Sequence, residues 1–121
     1  MNHLRNVKLV DNIVFFIEIT LLSANCLKKI EANFSSNSPN YEAIFLEYVG
    51  MSVPEYVNKA RIMEAERLLE HTNLDFKEIA KVIGMSGYFE FTQLFKKVNC
   101  ISPSTYRNQL LNTLNPTVEE K

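Results

Sequence analysis

Tyr88, Phe89, Glu90 and Gln93 fall within one short segment, YFEFTQLFKK, that closes with Lys96 and Lys97. These residue types suit the edges of nucleic-acid bases. A carboxamide such as Gln93 can pair with adenine, which offers an acceptor and a donor side by side. Glu90 could accept from a cytosine amino group, and Phe89 could pack on a thymine methyl. Lys96, Lys97 and Arg107 have the charge to meet phosphates, which fix register without reading sequence. Two alternatives stand beside these roles: Tyr88 or Phe89 is partly core, and Glu90 is simply solvated. The sequence offers little other chemistry. No Ser-His-acid or Cys-His grouping, Gly-rich phosphate loop, CxxC or HExxH is present. Catalytic and metal-ligating residues are therefore expected to be absent, and an enzyme is not expected.

The elements around this segment explain how it would be presented. Asp75 suits a helix N-cap, with Glu78 as its reciprocal partner three residues on. Phe76, Ile79, Ala80 and Ile83 follow at helical spacing, and Gly84 can take the positive φ that ends a helix. After Met85-Ser86-Gly87, a second pattern runs through Tyr88, Phe91, Leu94, Phe95 and Val98. Helix, Gly-containing turn and helix describe a helix-turn-helix, whose second helix suits a DNA major groove.

The pattern extends further. Ser52-Val53-Pro54-Glu55 opens a long helix carrying Arg61-Ile62, Ala65, Leu68 and Leu69. Glu78-Ile79-Ala80, Gly84, Phe91, Phe95-Lys96-Lys97, Ser102-Pro103 and Tyr106-Arg107 follow. This resembles the DNA-binding domain of the AraC/XylS family of bacterial transcription regulators, without a gap over 52–107. A weaker likeness reaches back to Ile17 through Leu21, Leu27, Ile30, Phe45 and Gly50. The resemblance implies that the positions of Tyr88, Phe89, Glu90 and Gln93 read bases, although their types depart from the usual small and polar set. It also implies a bacterial cytoplasmic protein. Longer members carry an N-terminal ligand-sensing domain, so this chain is either a short stand-alone form or a piece of a larger protein.

Whole-chain numbers bound the rest. The 121 residues, with 46% hydrophobic and 22% charged, are ordinary for one compact domain or two very small lobes. Three Gly and four Pro leave little room for a turn-rich β fold. A net charge of −1 lacks the basic excess usual for a dedicated DNA-binding domain, and excludes a polybasic membrane-surface role. Cys26 and Cys100 are far apart and read as free thiols in a reducing compartment. The apolar run Ile13–Ile17 is too short to span a bilayer and is interrupted by Glu18.

In order, residues 1–6 are expected to fray. Helix one is expected over 8–22, with Phe15 and Ile19 off its tightest face and free for a partner, such as a second copy. Asn25 is expected to cap a short helix holding Cys26, Leu27, Ile30 and Phe34. Pro39 is placed in the first turn of a third helix, with Tyr41, Ile44, Phe45 and Tyr48 inward and Gly50 at its end. The outer surface of that helix would present Ser38, Asn40, Glu42, Ala43, Leu46 and Glu47, with no cation. Family members commonly place basic residues after the equivalent Phe; here Leu46-Glu47 follow Phe45. Asn40 is kept as a base-reading candidate, and Lys28 and Lys29 as phosphate candidates, with a solvated charge pair as the alternative for the two lysines. The long fourth helix would be a rod of ~28 Å, suited to lobes about one turn of B-DNA (roughly 34 Å) apart. Ser102-Pro103 starts a seventh helix, in which Tyr106, Leu110 and Leu111 seal the lobe.

The expected fold is all-α: two helix-turn-helix lobes joined by a long linker helix, about seven helices in all. The expected divisions are 1–50, a linker over 51–72, a second lobe over 73–112 and a flexible tail over 113–121. The function expected is sequence-specific DNA binding in transcription regulation. The alternative is a protein-interaction module, an anti-regulator or dimer partner, that reuses the fold with weak or no DNA binding. Expected partners are double-stranded DNA, RNA polymerase or another regulator, and a second copy through helix one. No cofactor and no membrane are expected.

Overall fold

The computed structural model describes residues 2–114. Among them are seven helices and no strand: α1 Asn2–Thr20, α2 Cys26–Phe34, α3 Tyr41–Val49, α4 Val53–His71, α5 Phe76–Val82, α6 Tyr88–Asn99 and α7 Pro103–Leu114. The chain divides between Arg61 and Ile62, inside α4, into two compact units.

The first unit is built on one apolar cluster. Ile13 and Ile17 of α1, Cys26, Ile30 and Phe34 of α2, Tyr41 and Phe45 of α3, and Val53 and Val57 of α4 are all buried. The α1 residues lie four apart, which puts them one above the other on a single helix face. Phe15 and Ile19 lie off that face and are 64% and 63% exposed. At the opposite end of α4's first half, the buried Arg61 donates from Nε to Leu21 O (2.9 Å) and from Nη2 to Ser23 O (2.5 Å). Carbonyls after the end of a helix lack partners within it, and the guanidinium supplies two donors in a fixed fork. Burial lowers the Arg61 pKa.

Local chemistry sets the helix ends. Ser52 and Glu55 form a reciprocal capping box at α4, with Ser52 N donating to Glu55 Oε1 (2.9 Å) and Glu55 N to Ser52 Oγ (3.2 Å). Asp75 and Glu78 repeat it at α5. Gly84 adopts φ +83°, its N–H bonds Lys81 O, and Met85 N–H reaches back to Ala80 O at 2.9 Å. Together these bonds make a Schellman closure of α5. Gly50 ends α3 at φ +90°. Cys100 ends α6 at φ +68°, a left-handed conformation taken here by a residue with a Cβ. That conformation costs an L-residue roughly 1–2 kcal/mol, partly offset by the greater unfolded freedom of glycine. Cys100→Gly is expected to stabilise the protein by about 0.5–1 kcal/mol in a urea titration.

Several local expectations are corrected. Helix α1 begins at Asn2, not near Lys8, and ends at Thr20 rather than 22. His3 Nδ1 lies 3.1 Å from the Tyr48 hydroxyl, so a tertiary contact holds the first turn in place of fraying. Asn25 makes no side-chain cap bond, because its Oδ1 accepts from Ser23 Oγ instead. Pro39 precedes α3, whose N-cap is Asn40. Leu111 is 52% exposed and does not seal the second unit, whereas Tyr106 and Leu110 pack against its core. Residues 113 and 114 belong to α7, and the remainder of the expected tail lies outside the described residues.

Candidate nucleic-acid interface

The second unit presents α6 through a buried side and an open side. Phe91 and Phe95 are 0% exposed, and Leu94 and Val98 pack on the same cluster with Ile62, Ala65, Leu68, Ile79 and Ile83. The rings of Phe91 and Phe95 meet at 5.8 Å, and Phe95 meets Tyr106 at 5.5 Å, both edge-on. The Tyr106 hydroxyl donates to Glu70 Oε2 at 2.9 Å. Burial, then that bond, pushes its pKa up to about 12.

With that side committed, the open side carries Phe89 (70% exposed), Gln93, Lys96 and Lys97. Gln93, Leu94, Lys96 and Lys97 line one shallow depression. Among the described residues no carboxylate is paired with Lys96 or Lys97. Both lysines sit in the last turn of α6, where the helix dipole favours cations.

The other candidates are arranged differently. Tyr88 is 43% exposed, and its ring stacks on Phe76 at 6.2 Å, tying the start of α6 to α5. Glu90 is exposed and accepts a hydrogen bond from Ser86 in the turn before α6. Arg107 is half-buried. It donates from Nη1 to Leu74 O (2.9 Å) and from Nη2 to Thr72 O (3.2 Å), and lies over the Phe76 ring at 5.5 Å. The guanidinium thus binds the backbone just before α5. In the first unit, Asn40, Lys28 and Lys29 are exposed, and Asn40 makes no capping bond with its side chain. Sequence reasoning passed over Lys77 and Lys81, exposed one turn apart on α5 and lining a hollow with Leu74, Glu78 and Val82. Their i,i+4 spacing, which puts both ammonium groups on one side of α5, is the signal the sequence carries for this pair.

Arg107→Ala is expected to cost about 1–3 kcal/mol of stability, because two carbonyls lose charge-assisted donors. If Arg107 acts within its own unit, the variant keeps the wild-type dependence of DNA affinity on salt. A salt titration alongside thermal unfolding separates the two roles.

Among the described residues no helix is long and apolar enough to cross a membrane, and no group of three or more His, Cys, Asp or Glu is placed to hold a metal. Fold and exposed helix define a helix-turn-helix protein. A helix-turn-helix domain family model matches residues 32–109, and the chain belongs to the AraC-type helix-turn-helix family of transcription regulators. That family is not one of enzymes. The chain is 34% identical over 101 residues to the probable transcription factor PqrA of Proteus vulgaris, covering 81% of this chain and 82% of that protein. It is 39% identical over 61 residues to the uncharacterized regulator YisR of Bacillus subtilis, which covers 50% of this chain. The chain spans only 21% of the length of YisR. Its structure resembles the C-terminal domain of AraT, a response regulator from Geobacillus stearothermophilus, with TM-score 0.77, 26% identity and 84% of each chain covered.

Proposed function

We propose that this chain regulates transcription by sequence-specific DNA binding, with α6 of the second unit lying in a major groove. The observation that carries this is the open side of α6. Phe89, Gln93, Lys96 and Lys97 face outward, without a carboxylate partner among the described residues, while Phe91 and Phe95 are fully buried behind them. Gln93 and Phe89 read base edges, and Lys96 and Lys97 meet phosphates. Tyr88 and Glu90 take a second role, holding the start of α6 through Phe76 and Ser86. In this reading residues 51–72 are the linker, 73–112 the reading lobe, and the cytoplasm of a bacterium the setting. Contact with RNA polymerase or another regulator then transmits the signal. The test is titration of the protein against its own upstream DNA at several salt concentrations. Affinity that falls linearly with the logarithm of salt supports the reading. No binding at low salt, or binding indifferent to salt, ends it.

One surface supports a further element of this reading, a homodimer through α1. Leu4, Phe15 and Ile19 are 61%, 64% and 63% exposed, at spacings that put them on one side of α1. Sedimentation equilibrium decides it: a mass that stays at one chain across concentration removes the dimer.

A further inference from the structure

The two units use their outward helices unequally, and this follows from a comparison internal to the chain. Phe45 and Phe95 are both 0% exposed, Gly50 and Cys100 both close their helices in the left-handed region, and Tyr56 and Tyr106 pack on the two phenylalanines. Each pair lies fifty residues apart, so α3 and α6 share one register. In that register Gln93 corresponds to Ala43, Lys96 to Leu46 and Lys97 to Glu47. All six side chains are exposed.

The open side of α3 therefore replaces a carboxamide and two ammonium groups by a methyl, an isobutyl and a carboxylate. Leu46 is 51% exposed, and Glu42 adds a second carboxylate in the first turn. A groove is lined on both sides by phosphates, so each carboxylate there meets repulsion and no counterion is released in return. Lys28 does not reverse this, because it lines one hollow with Glu31 and Glu42. Lys29 stays on α2, and Asn40 offers a base-edge group with no cation beside it on α3.

We infer that α3 does not enter a groove, and that the DNA ligand of this chain is a site read in one major groove by α6 alone. The inference rests on the proposed DNA binding. The contacted base pairs form one uninterrupted block, shorter than the roughly 10 base pairs of a helical turn.

Matched substitutions on the two helices test it. Duplexes selected from a random-sequence pool by the wild-type protein serve as the probe, and circular dichroism checks that each variant is folded. Gln93→Glu is expected to weaken binding tenfold or more, on the order of one lost base contact plus added repulsion. Ala43→Glu is expected to change affinity less than about twofold, because that position stays off the DNA. The selected sequences are expected to share a single block per bound chain, so that a dimer repeats that block and adds no different one. Two unlike blocks one helical turn apart on duplexes bound by a single chain, or an Ala43→Glu loss equal to that of Gln93→Glu, would overturn the single-groove inference while leaving DNA binding intact. A pool from which nothing is enriched at low salt overturns the DNA-binding reading, and this inference with it.

Discussion

Replacing Lys96 and Lys97 together by alanine lowers affinity for duplex DNA roughly ten- to hundredfold near 0.1 M salt, and flattens the salt dependence by about two in slope. The size follows from counterion release. Each phosphate neutralised by a lysine frees about one condensed cation, so two lysines set about two of the slope. Both side chains are exposed and have no carboxylate partner among the described residues, so alanine removes charge without unpairing a buried group. Stability should change by less than about 0.5 kcal/mol, as for ordinary surface positions. Fluorescence anisotropy on a fixed duplex from about 50 to 200 mM salt reads the slope directly. An unchanged slope would remove these lysines from the interface. A loss of affinity with lost helicity would mean that the variant failed for another reason, and single substitutions then isolate the charge effect.

Phe95→Ala is expected to cost about 3–5 kcal/mol, the range for deleting a fully buried aromatic ring. Phe95 is 0% exposed and touches both Phe91 and Tyr106, so the cavity opens where α6 and α7 meet the core. At roughly 0.05–0.15 kcal/mol per residue, a lobe of about 50 residues has a comparable total stability. The second unit is therefore expected to be largely unfolded at 37 °C, and specific DNA binding to disappear with it. Denaturant unfolding followed by circular dichroism, with amide spectra resolving residues 62–114, tests this. A native-like spectrum with a loss under about 1 kcal/mol would contradict the packing described. Asn108→Ala, at an exposed position of α7, serves as the comparison and should be nearly neutral.

The boundaries of α4 and α5 were legible because their signals are local. Ser52 with Glu55 and Asp75 with Glu78 are reciprocal caps completed within four residues, and Gly84 marks its positive φ by lacking a Cβ. The core of the second unit was legible for a similar reason, since helical periodicity assigns Phe91 and Phe95 to one face before any partner is known. The same rule marked Phe15 and Ile19 as off the packed face of α1. What failed depended on contacts between residues far apart in the chain. The first turn of α1 is held by Tyr48, 45 residues away. Cys100 is a local exception: it caps α6 in the left-handed region, with its N–H on Lys96 O four residues back, and its residue type does not announce this.

Among the candidate site residues, spacing could nominate side chains for the outer face of α6, but only tertiary structure decided which were already engaged. Gln93, Lys96 and Lys97 remain open on one depression. Tyr88 and Glu90 bond to α5 and to the preceding turn, and Arg107 is drawn to carbonyls 33 and 35 residues earlier. The physical reason is that a charged or aromatic side chain takes the partner the folded chain brings within reach, and sequence distance carries no information about that reach. The sequence by itself determined the run of α4 to α6, the two capping boxes and the buried stripe. The tertiary structure decided which polar groups were left facing outward.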